Sequence, residues 1–228
     1  DSVIGPLNVA AEYVDRISKG DIPPKITDSY NGDFNEIKNN LNQCIDAVEL
    51  LISDAVVLSN AAVEGKLDFR ADPTRHQGDF RKIVEGVNDT LDSVIGPLNV
   101  AAEYVDSISK GDIPPKITDS YNGDFNEIKN NLNQCIDAIE LLISDAVMLS
   151  NAAVEGKLDT RADATRHQGD FRKIVEGVND TLDSVIGPLN VAAEYVDSIS
   201  KGDIPPKITD SYNGDFNEIK NNLNQCID

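Results

Sequence analysis

The sequence predicts an all-α chain of five tandem helix–connector–helix units, and three observations predict it. The string DSVIGPLNVAAEYVD begins at Asp1, Asp92 and Asp183, which sets a period of 91 residues. A weaker repeat lies inside that period, because Gly20 matches Gly65 and Gly32-Asp33-Phe34 matches Gly78-Asp79-Phe80. Apolar residues recur at spacings of three and four on both sides of each polar connector, which is one face of a helix. Internal repeats of this size outrank chain length as a guide to architecture.

The two layouts, A and B, alternate as A, B, A, B, A over residues 1–46, 47–91, 92–137, 138–182 and 183–228. The A units differ only at Arg16, Ser107 and Ser198. The B units differ at Val48/Ile139, Val57/Met148, Phe69/Thr160 and Pro73/Ala164. Divergence is large between the types and small within them, so recent duplication of an A–B pair is the simplest history. The chain starts and stops at unit edges, as a segment of something longer would.

In the first A unit, Leu7, Ala10, Val14 and Ile17 make the first helical stripe. Gly20 follows at a C-cap position, where positive φ costs a glycine little. The connector Asp21-Ile22-Pro23-Pro24-Lys25-Ile26 cannot be helical through its prolines and should run extended. Asn31-Gly32 is turn chemistry. Asp33 is expected as an N-cap, with Glu36 three residues on completing a capping box. Phe34, Ile37, Leu41 and Cys44 then line a second helix. In B units Lys82 stands where the glutamate would be, so the box is missing.

An extended chain spans ~3.3 Å per residue, whereas a helix of 16 residues is only about 24 Å long. The connector is therefore long enough to return along the helix and start the second one parallel to the first. Two short stripes cannot be buried by one such pair alone, and two chains side by side would make a parallel four-helix bundle.

The joints differ. From A to B the apolar residues run Phe34, Ile37, Leu41, Cys44, Val48, Leu51, Ala55, Leu58, Ala62, an unbroken alternation of three and four that reads as one continuous helix. From B to A they run Phe80, Ile83, Val87, Leu91, Val94, Leu98, Ala101, Val105, Ile108, with a doubled step of four that relaxes supercoiling. The same joint holds Gly96-Pro97, repeated at Gly187-Pro188, where the proline ring opposes the carbonyl four residues back. Pro97 and Pro188 should make the B-to-A joints kinked or rotated.

With these residues in place the chain resembles a HAMP domain array. The resemblance covers the whole chain. The family's proline early in helix 1 is matched by Pro6, although Leu51 replaces it in the B unit. Its connector glycine is matched by Gly20, Gly65, Gly111, Gly156 and Gly202. Its two connector plugs are matched by Ile22 and Ile26, Leu67 and Ala71, Ile113 and Ile117, Leu158 and Ala162, and Ile204 and Ile208. The helix-2 start is Asp33-Phe34, Asp79-Phe80, Asp124-Phe125, Asp170-Phe171 and Asp215-Phe216, each after glycine, in place of the family's Asp-Glu-x-Gly. The resemblance implies parallel homodimeric four-helix-bundle coiled-coil units stacked end to end into a rod. It implies a cytoplasmic relay that passes conformational change from an input domain to a chemotaxis or kinase output domain, as in chemoreceptors and sensor kinases. Its partners would be a second copy of the chain and the parent receptor's input and output domains. The alternative is a rigid spacer or docking stalk without relay.

Other chemistry is weaker. The net charge of −20 repels phosphate backbones and anionic membranes, so nucleic acid is not an expected partner. No apolar run approaches the ~20 residues of a membrane span, so no direct membrane insertion is expected. Cys44, Cys135 and Cys226 have no CxxC partner and read as small buried thiols. His76 and His167 lack a second ligand nearby in sequence, so no metal is expected. The run from Thr27 to Asp33 resembles a calcium loop, but Lys38 stands where the bidentate glutamate belongs. Asn88-Asp89-Thr90 fits a glycosylation pattern yet falls inside an expected helix. With no phosphate loop and no nucleophile–base pair, neither a cofactor nor an enzyme activity is expected.

Overall fold

The computed structural model describes residues 3–228; the first two residues of the first unit, Asp1 and Ser2, lie outside them. Among the described residues there are six α-helices and no strand: α1 (Ile4–Ser18), α2 (Asp33–Val63), α3 (Gly78–Ser109), α4 (Gly123–Val154), α5 (Gly169–Ser200) and α6 (Gly214–Ile227). Short 3-10 turns at Pro73–Arg75 and Ala164–Arg166 interrupt the two B connectors. The helices α2 to α5 run to 31 or 32 residues, and each spans a boundary between an A and a B repeat of the sequence. At the A-to-B joints nothing in the sequence breaks the helix. At the B-to-A joints Pro97 and Pro188 sit inside α3 and α5, so one intrahelical bond is missing at each while the helix continues. Just ahead of Pro97, Thr90 and Ser93 hydroxyls donate to the Gly86 and Asp89 carbonyls, a back-bonding pattern that tends to bend helices.

The chain divides into two compact parts, Asp1–Glu103 and Tyr104–Asp228, with the boundary inside α3. In the first part α1 packs on α2, and the buried apolar residues are Pro23, Ile26, Ile45, Ala61, Ala71, Val84 and Ile95. In the second part α4 packs on α5 and α5 on α6 around Ile117, Ile136, Ala152, Ala162, Val175, Ile186 and Ile208. In the first A unit the two helices are parallel. Lys25 pairs with Asp46 and Ile26 with Asn42, while the Asp28 carbonyl meets Lys38, so the connector runs antiparallel to the helix that follows it. The end of that connector, Tyr30, lines one small cleft with Pro6 and Val9 at the start of α1, which places both helix starts at the same end.

Two local expectations need correction. The five aspartates of Gly-Asp-Phe stand in the first helical turn rather than at the cap, and at four of the five starts the residue before the helix makes no side-chain cap bond. The glycine instead turns the chain, at φ between 53° and 56°, and the carboxylate then sits where the positive end of the helix dipole favours it. The cysteines, expected to be buried, are exposed in the single chain. The side chain beside Cys44, Ile45, is the one fully buried, as is Ile136 beside Cys135. The face that each helix turns to its own connector is therefore shifted by one residue from the apolar stripe.

Candidate functional site

Each unit presents the same device, a connector laced to the helix after it. Its first part is the exit from the preceding helix. Gly20, Gly65, Gly111, Gly156 and Gly202 all have φ between 73° and 86°. Beyond each glycine the next amide donates back five residues, as from Asp21 to the Arg16 carbonyl at 3.0 Å and from Lys66 to the Ala61 carbonyl at 2.8 Å. This 6→1 bond is the Schellman closure, and it satisfies a carbonyl the helix end would leave unpaired.

The second part has no counterpart among the sequence expectations. The Ile26 amide donates to Asn42 Oδ1 at 2.8 Å, and Asn42 Nδ2 donates to the Ile26 carbonyl at 3.0 Å. Asn133 holds Ile117 and Asn224 holds Ile208 in the same way. In the B units Asn88 holds Ala71 and Asn179 holds Ala162. Extended backbone has no helical partner for its amide and carbonyl, and burying them unpaired is costly. A carboxamide supplies one acceptor and one donor side by side, so a single side chain answers both groups. The one sequence clue to it is the recurrence of asparagine ten residues after the helix-start glycine in both unit types.

The residues matched to the plugs separate into two groups. Ile26, Ala71, Ile117, Ala162 and Ile208 are buried. Ile22 and Ile113 are half-buried, whereas Leu67 and Leu158 are 42% exposed and Ile204 60%. Phe34, Phe80, Phe125, Phe171 and Phe216, at the helix starts, are half-buried. Asn88, within the glycosylation pattern, lies inside α3 with its amide committed to Ala71. Lys38, which spoils the calcium-loop pattern, donates to the Asp28 carbonyl at 3.3 Å.

The B connectors carry two further ties. At the start, the Arg70 guanidinium donates to Asp92 Oδ1 from both Nε (2.9 Å) and Nη2 (2.7 Å). Its Nη1 donates to the Leu67 and Phe69 carbonyls at 2.7 and 2.6 Å. Arg161 does the same with Asp183, Leu158 and Thr160. At the end, His76 Nε2 lies 2.8 Å from Asp54 Oδ2, and both residues are buried. A carboxylate only accepts, so Nε2 carries the proton. Arg75 Nη1 donates to the other Asp54 oxygen at 3.1 Å. His167, Asp145 and Arg166 repeat the cluster, with the Nε2 to Oδ2 distance at 2.7 Å. Asp72 accepts from the Thr74 amide and hydroxyl, which fixes the 3-10 turn and holds the Asp72 carboxyl below the usual carboxylate range. In the sequence His76 stands isolated, since its partner is 22 residues away.

The apolar stripe itself remains open. Ile83 is 49% exposed and Val87 41%, and a groove of about 320 Å³ lined by Leu51, Ile52, Asp54, Ala55, Leu58, Ala71, Ile83, Val84 and Val87 runs between α2 and α3. Among the described residues no group of histidine, cysteine and acidic side chains is placed to hold a metal, and no helix is long and apolar enough to cross a membrane.

The family model for the HAMP domain matches residues 1–50, 75–141 and 166–228. The chain belongs to the HAMP domain family. The matches recur along the chain, as a tandem HAMP array requires, and they pass over 51–74 and 142–165, most of the first helix and connector of each B repeat. Those are the stretches that hold Asp54 and Asp145. No solved structure matches the chain. HAMP domains are signal-relay modules that link the input and output domains of receptors, and the family is not catalytic.

Proposed function

We propose that the chain is a relay array of five HAMP units, 1–46, 47–91, 92–137, 138–182 and 183–228, working as a parallel homodimer on the cytoplasmic side of a receptor. The observation that carries this reading is the open apolar stripe. In a single chain Ile83, Val87, Val94 and Leu98 stay between 41% and 49% exposed along one helix, spaced four, seven and four apart with half-buried Leu91 between the middle two. That surface has heptad spacing, and a second copy in register covers it with identical side chains.

In such a dimer, a change of packing in one bundle is carried to the next by the helix the two units share. The output is a chemotaxis or kinase domain of the parent receptor. The laced connectors keep each pair of helices in register, so that motion passes along the helices rather than being lost in the connectors. Two packings of similar energy are required for relay, and the alternating joints, smooth in one case and proline-bearing in the other, bias successive units in opposite senses.

Light scattering on the chain should give twice the mass of one chain, with oxidative disulfides through Cys44, Cys135 or Cys226. A folded monomer would remove the bundle. Pro97→Ala, read by spin-label distances on either side of the joint, should change helix rotation. Unchanged distances would leave a rigid spacer.

A further inference from the structure

The two unit types hold their connectors with different strength, and the difference is chemical. Where a B unit has Asp54 and His76, counting back from the connector glycine and from Gly-Asp-Phe puts Val9 and Tyr30 in the A unit. Val9 and Tyr30 both line one cleft in the first A unit. Val9 has no polar side-chain atom to offer, and the Tyr30 hydroxyl donates to Asp28 at 3.5 Å. At the other end of the connector Arg70, which makes four hydrogen bonds, corresponds to Lys25. Lys25 makes one exposed pair with Asp46, its side chain 50% open to solvent. An arginine fork fixes direction as well as charge, whereas an exposed ammonium pair contributes little.

A buried carboxylate is costly unless it is fully partnered. Asp54 is reached by His76 and Arg75 only while the connector lies against its helix. Undocking a B connector therefore breaks a hydrogen-bonded, ion-paired cluster that undocking an A connector does not. We propose that the Asp54–His76–Arg75 cluster and its copy at Asp145–His167–Arg166 are latches, making the B units the stiff links of the array and the A units the yielding ones. The difference in hold is a property of the chain alone; its use to bias a relay rests on the relay reading above.

The Asn clasp supplies a matched pair of probes, since Ala71 and Ile26 donate the same kind of bond in the two unit types. Native-state amide exchange on the full chain should show Ala71 and Ala162 exchanging about tenfold or more slowly than Ile26 and Ile117. The double variant Asp54→Val with His76→Tyr installs the A-type pair and should speed Ala71 exchange toward the Ile26 rate, with the Arg70 fork keeping part of the difference and helix content unchanged by circular dichroism. The reciprocal Val9→Asp with Tyr30→His should slow Ile26. Equal rates for Ala71 and Ile26 in the unaltered chain would overturn the latch. So would an Ala71 rate that the first double variant leaves unmoved. If that variant loses helix content, the unaltered comparison and the reciprocal variant still decide. Exchange needs no output domain, so a failed relay and a failed latch give separable results.

Discussion

Asn42 closes a two-way hydrogen bond with the backbone of Ile26, sixteen residues earlier, accepting from its amide at 2.8 Å and donating to its carbonyl at 3.0 Å. Asn42→Ala leaves both groups of a buried residue without partners, at a cost of ~1–3 kcal/mol for each unsatisfied group. Asn42→Asp retains the acceptor and loses the donor, so its loss should be intermediate. Denaturant unfolding of the two variants, with Asn88→Ala and Asn88→Asp as the B-unit pair, tests the order. Equal losses from Ala and Asp would count against the two-way geometry.

Gly20 and Gly86 should respond to alanine with opposite signs. Gly20 has φ of 79°, which a side chain rarely adopts, so Gly20→Ala should destabilise by ~1 kcal/mol. Gly86 lies inside α3 with normal φ and nothing within 4 Å of the added carbon, so Gly86→Ala should stabilise by roughly 0.5–1 kcal/mol. Thermal unfolding of the two variants in parallel reads the signs.

Much of this architecture is legible in the amino-acid sequence. The helical stripes, the exit glycines, the extended connector and continuity through the A-to-B joint all follow from local rules of periodicity, φ preference and proline geometry. What the sequence hides is long-range and polar. Asn42 looks like one more solvated amide on a helix, and Asp54 like one more surface acid, because hydrophobic periodicity says nothing about which polar side chain meets a connector. The pairs that lace the device are 16 to 22 residues apart, with no local spacing rule to betray them. The aspartate after each glycine falls one or two residues past the cap because a positive-φ glycine does the turning that a cap would otherwise do. The apolar stripe places Cys44 in the core, whereas it is Ile45 beside it that faces the connector.

Ile45 should be the more sensitive of two isoleucines on α2. It is fully buried, so Ile45→Ala should cost ~2–5 kcal/mol. Ile52 is 47% exposed in the single chain and lines the apolar groove. Its replacement by lysine should chiefly weaken self-association, seen as concentration-dependent unfolding and a lower mass by light scattering. A loss of stability independent of concentration would argue that the groove is not covered by a second copy.

Acid should release the 3-10 turn of the B connector. The Asp72 carboxyl is held below its ordinary value of 3.8 by the hydroxyl and amide of Thr74. Its contribution is therefore fully present above that value and is lost as pH falls through the lower folded one. An NMR titration should show the Thr74 amide shifting with the Asp72 carboxyl below pH 3.8, and Asp72→Asn should abolish that step. The same step is expected at Thr165 beside Asp163.

Helices α3, α4 and α5 each run 32 residues and each cross a boundary between A and B repeats. One residue inserted into such a helix turns everything beyond it by about 100°, swinging both the stripe and the clasping asparagine off their targets. Length in this protein is therefore quantised. The connectors tolerate an extra residue, as the B connectors demonstrate, but the helices cannot change by small steps. Growth that preserves every face comes in whole A–B pairs of 91 residues, cut at any point and rejoined at its equivalent. Nearly identical copies at that interval are what such a chain can accumulate.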